Sequence, residues 1–474
     1  SININTRSLS VTNDAQLNTS TRGQGNAGNI TINARDRIWF SSNGAAFSFV
    51  AQTAMGDAGD ININTNSLSL TNGAALIAST LGQGSAGDLI VNARDTVSFD
   101  RGSTALSSVG STAKGNGGSI RITTGELSVT NGAQLFASTR GQGNAGSVTI
   151  DARRVSFDGV DSKGFPSGAF SAVESKAVGN ATEIDITTSE LFVTNGAQLQ
   201  AVTNGQGNAG NITIDARESV SFDSGGAAFS DVGKTGVGIA GGINITTNQL
   251  FVGNNAQLVV GIKGQGKAGD LIVNARDRVS FNGGDAFSSV ELGAKGDGGS
   301  IKIEARELSV TNGGQLIAGT KGQGNAGNIT VIARDRALFD GDSVSFDEPI
   351  RNASGVISSV ETTGVGDGGN INIITNDLFV TNGGQLRADT EGQGKAGNVI
   401  INASSSVTFD GVSRNRSVSA AFSAVNKTAI GEGGNITITT DSLFVTNGAQ
   451  LIADTLGQGK AGSVIVTVSY THLT

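Results

Sequence analysis

One phrase recurs along this chain at a nearly constant interval, and that repetition constrains the fold more than any other feature. "GQGNAGNITINA", residues 23–34, is the first of eight copies of G-Q-G-x-A-G, whose first glycines are Gly23, Gly82, Gly141, Gly205, Gly264, Gly322, Gly392 and Gly457. Other glycine corners, such as "GDAGDININT", "GNGGSIRITT" and "GEGGNITITT", fall between the copies. Measured between the last glycines before each strand-like run, with Thr182 standing in once, the spacing alternates between 27 or 28 residues and 30 to 42. The unit of about 59 residues is therefore two coils, one nearly fixed in length and one variable. A chain of such units buries its apolar side only by stacking each unit on the next, which makes it a solenoid.

Gly23, Gly25 and Gly28 also spell G-x-G-x-x-G, the spacing of a dinucleotide-binding turn. That turn needs a helix after it. Here each copy leads into another run of alternating apolar and polar residues, "NITINA", "DLIVNA", "SVTIDA" or "NVIINA", which is a strand signal. The glycines are corner residues, and no cofactor is expected. Each coil reads as three short strands: "DININT", "LSLTNG" and "AALIAST" in the fixed coil, and "DLIVNA", "TVSFD" and "TALSSV" in the variable one. Three strands and three turns per coil predict an all-β fold, a parallel β-helix of about fifteen coils, with side chains stacked in ladders about 4.8 Å apart.

The ladders are legible. Phe40, Phe99, Phe157, Phe222, Phe281, Phe339 and Phe409 recur at one position of the variable coil. Val11, Leu70, Val129, Val193, Val252, Val310, Val380 and Val445 hold the matching place in the fixed coil. Large and small residues thus alternate up a narrow core. A second ladder runs Leu17, Leu76, Leu135, Leu199, Leu258, Leu316, Leu386 and Leu451. The Asn-Gly pairs beginning at Asn72, Asn131, Asn195, Asn312, Asn382 and Asn447 mark a corner that needs positive φ. Both prolines, Pro166 and Pro349, fall in extended loops of the variable coil, where no ladder N–H is lost.

Chemistry is sparse. The chain has no cysteine, and its only histidine is His472. Thiolate chemistry and a Ser/His/Asp triad in the body of the chain are excluded. The net charge of −8 is interspersed rather than blocked, with no basic stripe for nucleic acid and no apolar run long enough to span a membrane. Asp100, Asp158, Asp223, Asp340 and Asp410 follow the Phe ladder, and their periodicity argues for a turn role rather than a unique carboxylate pair. "GDGG" resembles part of a calcium-binding nonapeptide but lacks its period of nine. Adjacent Arg-acid pairs, such as Arg94-Asp95 and Arg217-Glu218, read as a hydrated charged edge. Outward Thr and Asn residues, among them Thr31, Asn33, Asn64 and Thr437, leave an ice-binding face as one alternative.

The variable coil grows at 158–168, 340–355 and 410–421, always after the same Phe-Asp step. In a solenoid equivalent positions stack, so the insertions are expected on one edge, and they hold what the repeats lack. Phe165 and Pro166 lie in the first, Asp340, Asp342, Asp347, Glu348 and Arg351 in the second, and Arg414 and Arg416 in the third. These are the candidate partner-binding residues. No catalytic or metal-binding residue is assigned and no enzyme activity is expected. A β-helix polysaccharide lyase or hydrolase, the enzymatic alternative, would require a non-repeating charged cluster in a groove.

The whole unit, "LSVTNGAQL" through "GQGNAGNITINARD" to "VSFDG", "AFSSV" and "GDGGNINI", resembles the repeat region of filamentous-haemagglutinin-like exoproteins, particularly the large ones of cyanobacteria. The resemblance covers residues 1 to about 467. It implies a right-handed parallel β-helix, secretion by the two-partner route through an outer-membrane transporter, and an adhesive role at the cell surface. The implied partners are cell-surface glycans or proteins. That family's N-terminal secretion domain, with its Asn-Pro motifs, has no counterpart in this sequence. The sequence therefore suggests a single β-helix domain over 1–467, part of a longer chain, acting as a rigid rod that presents loops along one edge. Residues 468–474, with Tyr470 and His472, break the repeat and read as a non-native tail.

Overall fold

A computed structural model describes residues 1–343 and 353–469 of the chain. Among them the fold is all-β: parallel strands stack as a right-handed parallel β-helix of about 16 turns, without a helix. The chain divides into two compact units, residues 1–221 with 225–244, and residues 222–224 with 245–474.

In the first unit, long strands Ile2–Thr12, Ile30–Ser41, Ile61–Thr71, Leu89–Phe99, Ile120–Thr130, Val148–Asp158 and Ile184–Thr194 pair in parallel, each with the next. Three-residue strands, from Gln16–Asn18 and Ala45–Phe47 to Gln198–Gln200 and Ala227–Phe229, form a second parallel ladder. The second unit repeats the arrangement. Its long strands run from Leu271–Asn282 and Ile301–Thr311 to Val399–Asp410, and its short ones from Gln257–Val259 and Asp285–Phe287 to Gln450–Ile452.

The coil differs from the expected three short strands. The first two merge into one strand of 11 or 12 residues, as in Ile61–Thr71 and Ile30–Ser41, and the third shrinks to three residues. The segment between the first two, such as Asn66-Ser67, stays paired with the neighbouring coil and bends without leaving the ladder. The bend absorbs a length difference. Where the strand at Ile30 has three residues between Asn33 and Arg37, its partner has two between Asn64 and Ser67, and the register shifts there. Val148–Asp158 matches its neighbours in length and pairs with both without a shift.

All seven phenylalanines of the predicted ladder are fully buried. Register places Phe40 between Val11 and Leu70, Phe157 between Val129 and Val193, and Phe339 between Val310 and Val380, so the alternation is as read. The short ladder alternates in the opposite phase: Leu76, Leu135 and Leu199 stack against Ala46, Ala105, Ala169 and Ala228. A variable coil thus holds Phe with Ala, or with Val356 in the coil of Phe339, and a fixed coil Val or Leu with Leu. Each fills the same cross-section with a different split, which keeps every layer at native packing density.

The G-Q-G-x-A-G corner explains its own glycines. A Cβ on Gly59 would run into the carbonyl oxygen of Gly28, and one on Gly87 into that of Gly59. The polar residues between them staple the corner. The Asn26 side chain accepts from the Asp57 backbone N–H at 2.9 Å, Asp57 from Ser85 at 2.8 Å, and Asn116 from Asn144 at 3.0 Å. Asn29, Asp60 and Asp88 build a second staircase, at 3.0, 2.9 and 2.8 Å.

Phe157→Val should be strongly destabilising, and Ala169→Leu should overpack the same layer. Combined, they recreate the fixed-coil pair Val193 and Leu199, so the double variant should lose at least about 1 kcal/mol less than the two changes summed. Chemical denaturation of the four proteins measures this, and strict additivity would show that the two positions do not share space.

Candidate functional site

The three insertions grow from one kind of corner. In the fixed coils Asn72, Asn131, Asn195, Asn312, Asn382 and Asn447 adopt φ between 50° and 54°, followed by Gly with φ between 75° and 94°, as their sequence requires. The aspartates after the Phe ladder bind this corner from the coil before it. Asp100 accepts from Thr130 and Asn131 at 2.9 and 2.7 Å, Asp340 from Thr381 and Asn382 at 2.5 and 2.8 Å, and Asp410 from Thr446 and Asn447 at 2.5 and 2.6 Å. Asp158 does the same with Thr194 and Asn195. The Thr446 and Asn447 bonds hold the Asp410 carboxyl below its ordinary range. At Asp100 partial burial pushes the other way, but the Asn131 and Thr130 bonds prevail. The column is structural, and Asp340 belongs to it.

Each insertion is closed at its base by an antiparallel bridge in a repeated socket. Val160 bridges Pro166, Asp342 bridges Ala353, and Val412 bridges Val418. A buried serine closes each base: Ser167, Ser354 and Ser419 accept from the backbone of Gly132, Gly313 and Gly383, each at 2.9 Å. The glutamine of the preceding coil reaches over. Gln134 donates to the Pro166 carbonyl at 3.1 Å, Gln315 to Ala353 at 3.1 Å, and Gln385 to Val418 at 3.4 Å. A Cβ on Gly132, Gly313 or Gly383 gains no clearance, because each would collide with the hairpin lying above it, at Asp161, Ser343 or Ser413.

The hairpins differ at their tips. In the first, Asp161 accepts from the N–H groups of Lys163 and Phe165, each at 2.8 Å, and Phe165 is 58% exposed. In the third, Arg416 takes a positive φ of 67°, and both Arg414 and Arg416 are exposed. Asp342, by contrast, is buried and joins the second hairpin to the third: it accepts from Ser413 at 2.7 Å and Asn415 at 2.9 Å. Within the second unit the two insertions therefore stack directly. Asp347, Glu348, Arg351 and Pro349 lie outside the described residues, as do Tyr470 and His472.

The charged edge is wired differently from its sequence. Arg94-Asp95 and Arg217-Glu218 pair with their neighbours, but Asp36 pairs with Arg7, and Asp277 and Asp335 pair with Arg306. Strand alternation directs adjacent side chains apart, while residues one coil apart face each other. The outward Asn column is a ladder of amides. Asn33 donates to Asn5, Asn64 to Asn33 and Asn92 to Asn64, at 2.8, 2.9 and 3.0 Å. Among the described residues no group of three or more acidic or histidine side chains is arranged to hold a metal ion.

One non-repeating cluster escaped the sequence reading. "QLRADTEGQG", 385–394, places Arg387 where the other copies hold an uncharged residue, and Glu391 where they hold Arg, Lys, Leu or Asn; Asp389 recurs only as Asp454. Arg387 donates to Asp389 at 2.8 Å and to Glu391 at 2.9 Å, while Ser359 and Asn426 donate to Asp389 at 2.5 and 2.9 Å. Burial, then the charge of Glu391, raises the nearby Glu361 carboxyl above its ordinary value. The departure from the repeat was the available signal.

No family model matches the chain, and neither a curated protein nor a solved structure matches it. The fold and its departures from periodicity therefore carry the functional argument: this is a β-solenoid that presents inserted hairpins from a fixed socket.

Asp285 sits beneath the second insertion, where its carboxylate accepts from the backbone of Gln315 at 2.9 Å and burial raises its pKa to about 6. A raised carboxyl favours the protonated form in the folded state. Stability from this group is full below the unfolded value of about 4 and falls as pH rises through about 6. Asp285→Asn keeps the acceptor without the charge. It should raise the melting temperature at pH 7 to 8 and leave it unchanged below about pH 4; a pH-independent gain would assign the effect to packing.

Proposed function

We propose that this chain is a structural and adhesive segment of a surface exoprotein, in which the β-solenoid is the support and the insertions are the contact surface. The observation that carries the reading is the shared socket. Three insertions of different sequence attach through the same Ser, Gln and Asn-Gly contacts, so their tips vary without altering the coils. Loops held by a rigid frame are where binding residues concentrate. Phe165, Arg414 and Arg416, exposed on such tips, are the residues assigned to a partner, and cell-surface glycans or proteins are the partner classes proposed. Membership of the filamentous-haemagglutinin-like exoproteins, secretion and export through an outer-membrane transporter belong to the same proposal and rest on the repeat unit. No helix among the described residues is long and apolar enough to cross a membrane.

Polysaccharide hydrolysis or lysis is the second reading, and the cluster at Arg387 favours it. Glu361, with its raised carboxyl, lies near Glu391, which is bonded to Arg387, and glycoside chemistry needs two carboxylates in different protonation states. Asp389 is fully engaged and is not assigned a reacting role.

Trimming 158–168, 340–355 and 410–421 to the usual variable-coil length should leave the melting transition intact and reduce attachment to cells or glycan arrays. Unchanged attachment would move the contact surface to the strand faces. In parallel, the parent should release no new reducing or unsaturated ends from acidic or neutral polysaccharides. If it does, and Glu361→Gln abolishes that turnover, the enzymatic reading replaces the adhesive one.

A further inference from the structure

The only tryptophan of the chain, Trp39, stands on the outer face of a long strand, 46% exposed. Its register partner is Ser69, which pairs in turn with Ser98; beside them Arg37 pairs with Ser67, and Ser67 with Thr96. These six side chains line a shallow trough of about 350 Å³ within the first unit.

Three features separate this trough from its repeats. The first is the arginine. Elsewhere in the same column an arginine is matched by the neighbouring coil: Arg154 pairs with Glu190 and lies over Phe192, Arg278 pairs with Glu307, and Arg336 lies over Phe379. Arg37 has Ser8 and Ser67 as its register partners and forms no ion pair among the described residues. The second is the local charge balance. The nearby acids are taken by other arginines, Asp36 by Arg7, Asp95 by Arg94 and Glu126 by Arg153, so the Arg37 guanidinium remains an unneutralised cation. The third is the floor. The hydroxyls of Ser67, Ser69, Thr96 and Ser98 make no hydrogen bond to a described residue, whereas Ser280 and Ser309, at equivalent positions, bond to each other at 3.2 Å.

We propose that this trough is a binding site for one sugar residue that carries a carboxylate, within an acidic polysaccharide. The indole supplies a flat apolar surface for the C–H face of a pyranose ring. The Ser and Thr hydroxyls donate to and accept from ring hydroxyls. Arg37 receives the carboxylate, whose two oxygens match the planar guanidinium fork. The rungs repeat about every 4.8 Å, so Trp39 and Ser98 lie about 10 Å apart along the stack, room for one ring beside the indole. This site is separate from the hairpin edge and stands or falls independently of it.

Because Trp39 is the sole tryptophan, its fluorescence reports on the trough directly. The test titrates the intact protein with tri-galacturonate and with its methyl ester. The acid should give a saturable change in emission, and the ester should bind about tenfold more weakly or worse, the loss expected when a charged hydrogen bond is removed. Arg37→Ala should weaken binding of the acid by a similar factor and abolish the distinction between acid and ester. Arg37→Lys should recover part of it. Trp39→Ala should lose binding by calorimetry, and Trp39→Phe should keep most of it. Both residues are exposed, and unchanged far-UV circular dichroism and melting would exclude misfolding. The proposal is overturned if the acid gives no saturable change, if acid and ester bind alike, or if Arg37→Ala binds as the parent does. The hairpin-trimmed protein should bind tri-galacturonate as well as the parent, so failure here and failure of the hairpin reading are told apart.

Discussion

Every coil of this protein must close on the cross-section of its neighbours, because its backbone hydrogen-bonds to them in parallel and in register. From that requirement follow the two compensating ladders. Phe157 with Ala169 fills one layer, and Val193 with Leu199 fills another, both fully buried. It also dictates the corner glycines, since a stack this close leaves no room for a Cβ between Gly59 and the Gly28 carbonyl. The mid-strand bend serves the same end: one extra residue in a variable coil is absorbed by a register shift, so the next apolar residue still points inward.

A coil held so tightly has few places to vary. The corner after the Phe-Asp step is one of them, because its anchoring groups belong to the backbone, to Ser167, Ser354 and Ser419, and to glutamines of the coil before. Lengthening a loop whose ends are already fixed costs little chain entropy. Stability and presentation are thereby separated, and the tips of the hairpins are free to carry Phe165 or Arg414 and Arg416. The same logic gives the periodic aspartates a structural role. Asp100, Asp158, Asp340 and Asp410 are each bound to a Thr-Asn pair one coil on, and Asp223 to Asn254.

Function in such a molecule is to be sought where the repeat is broken. Arg37 differs from Arg154 and Arg278 only in what the next coil offers it, serine in place of glutamate. Arg387 and Glu391 put a cation and an acid where no other copy of the phrase has them. Both departures change local electrostatics without disturbing the ladder, because none of these residues replaces an inward apolar residue of the Phe or Leu ladders.

The fold class, the inward Phe and Leu ladders, the Asn-Gly corners and the position of the insertions were all determined by the sequence itself. They are periodic, and a period of alternating apolar residues reports directly which side is buried. The continuity of the long strand was not legible, because residues such as Asn66 and Gly125 at the bend read as turns while the ladder carries on through them. Nor were partnerships between coils. Arg35-Asp36 reads as a neighbouring pair, yet Asp36 bonds to Arg7, which lies 29 residues away in sequence and one coil away in space. Only the stacking decided that Asp342 ties two hairpins together and that Arg37 is left with serines beside its indole. Contacts between coils depend on register, and register is a property of the assembled stack.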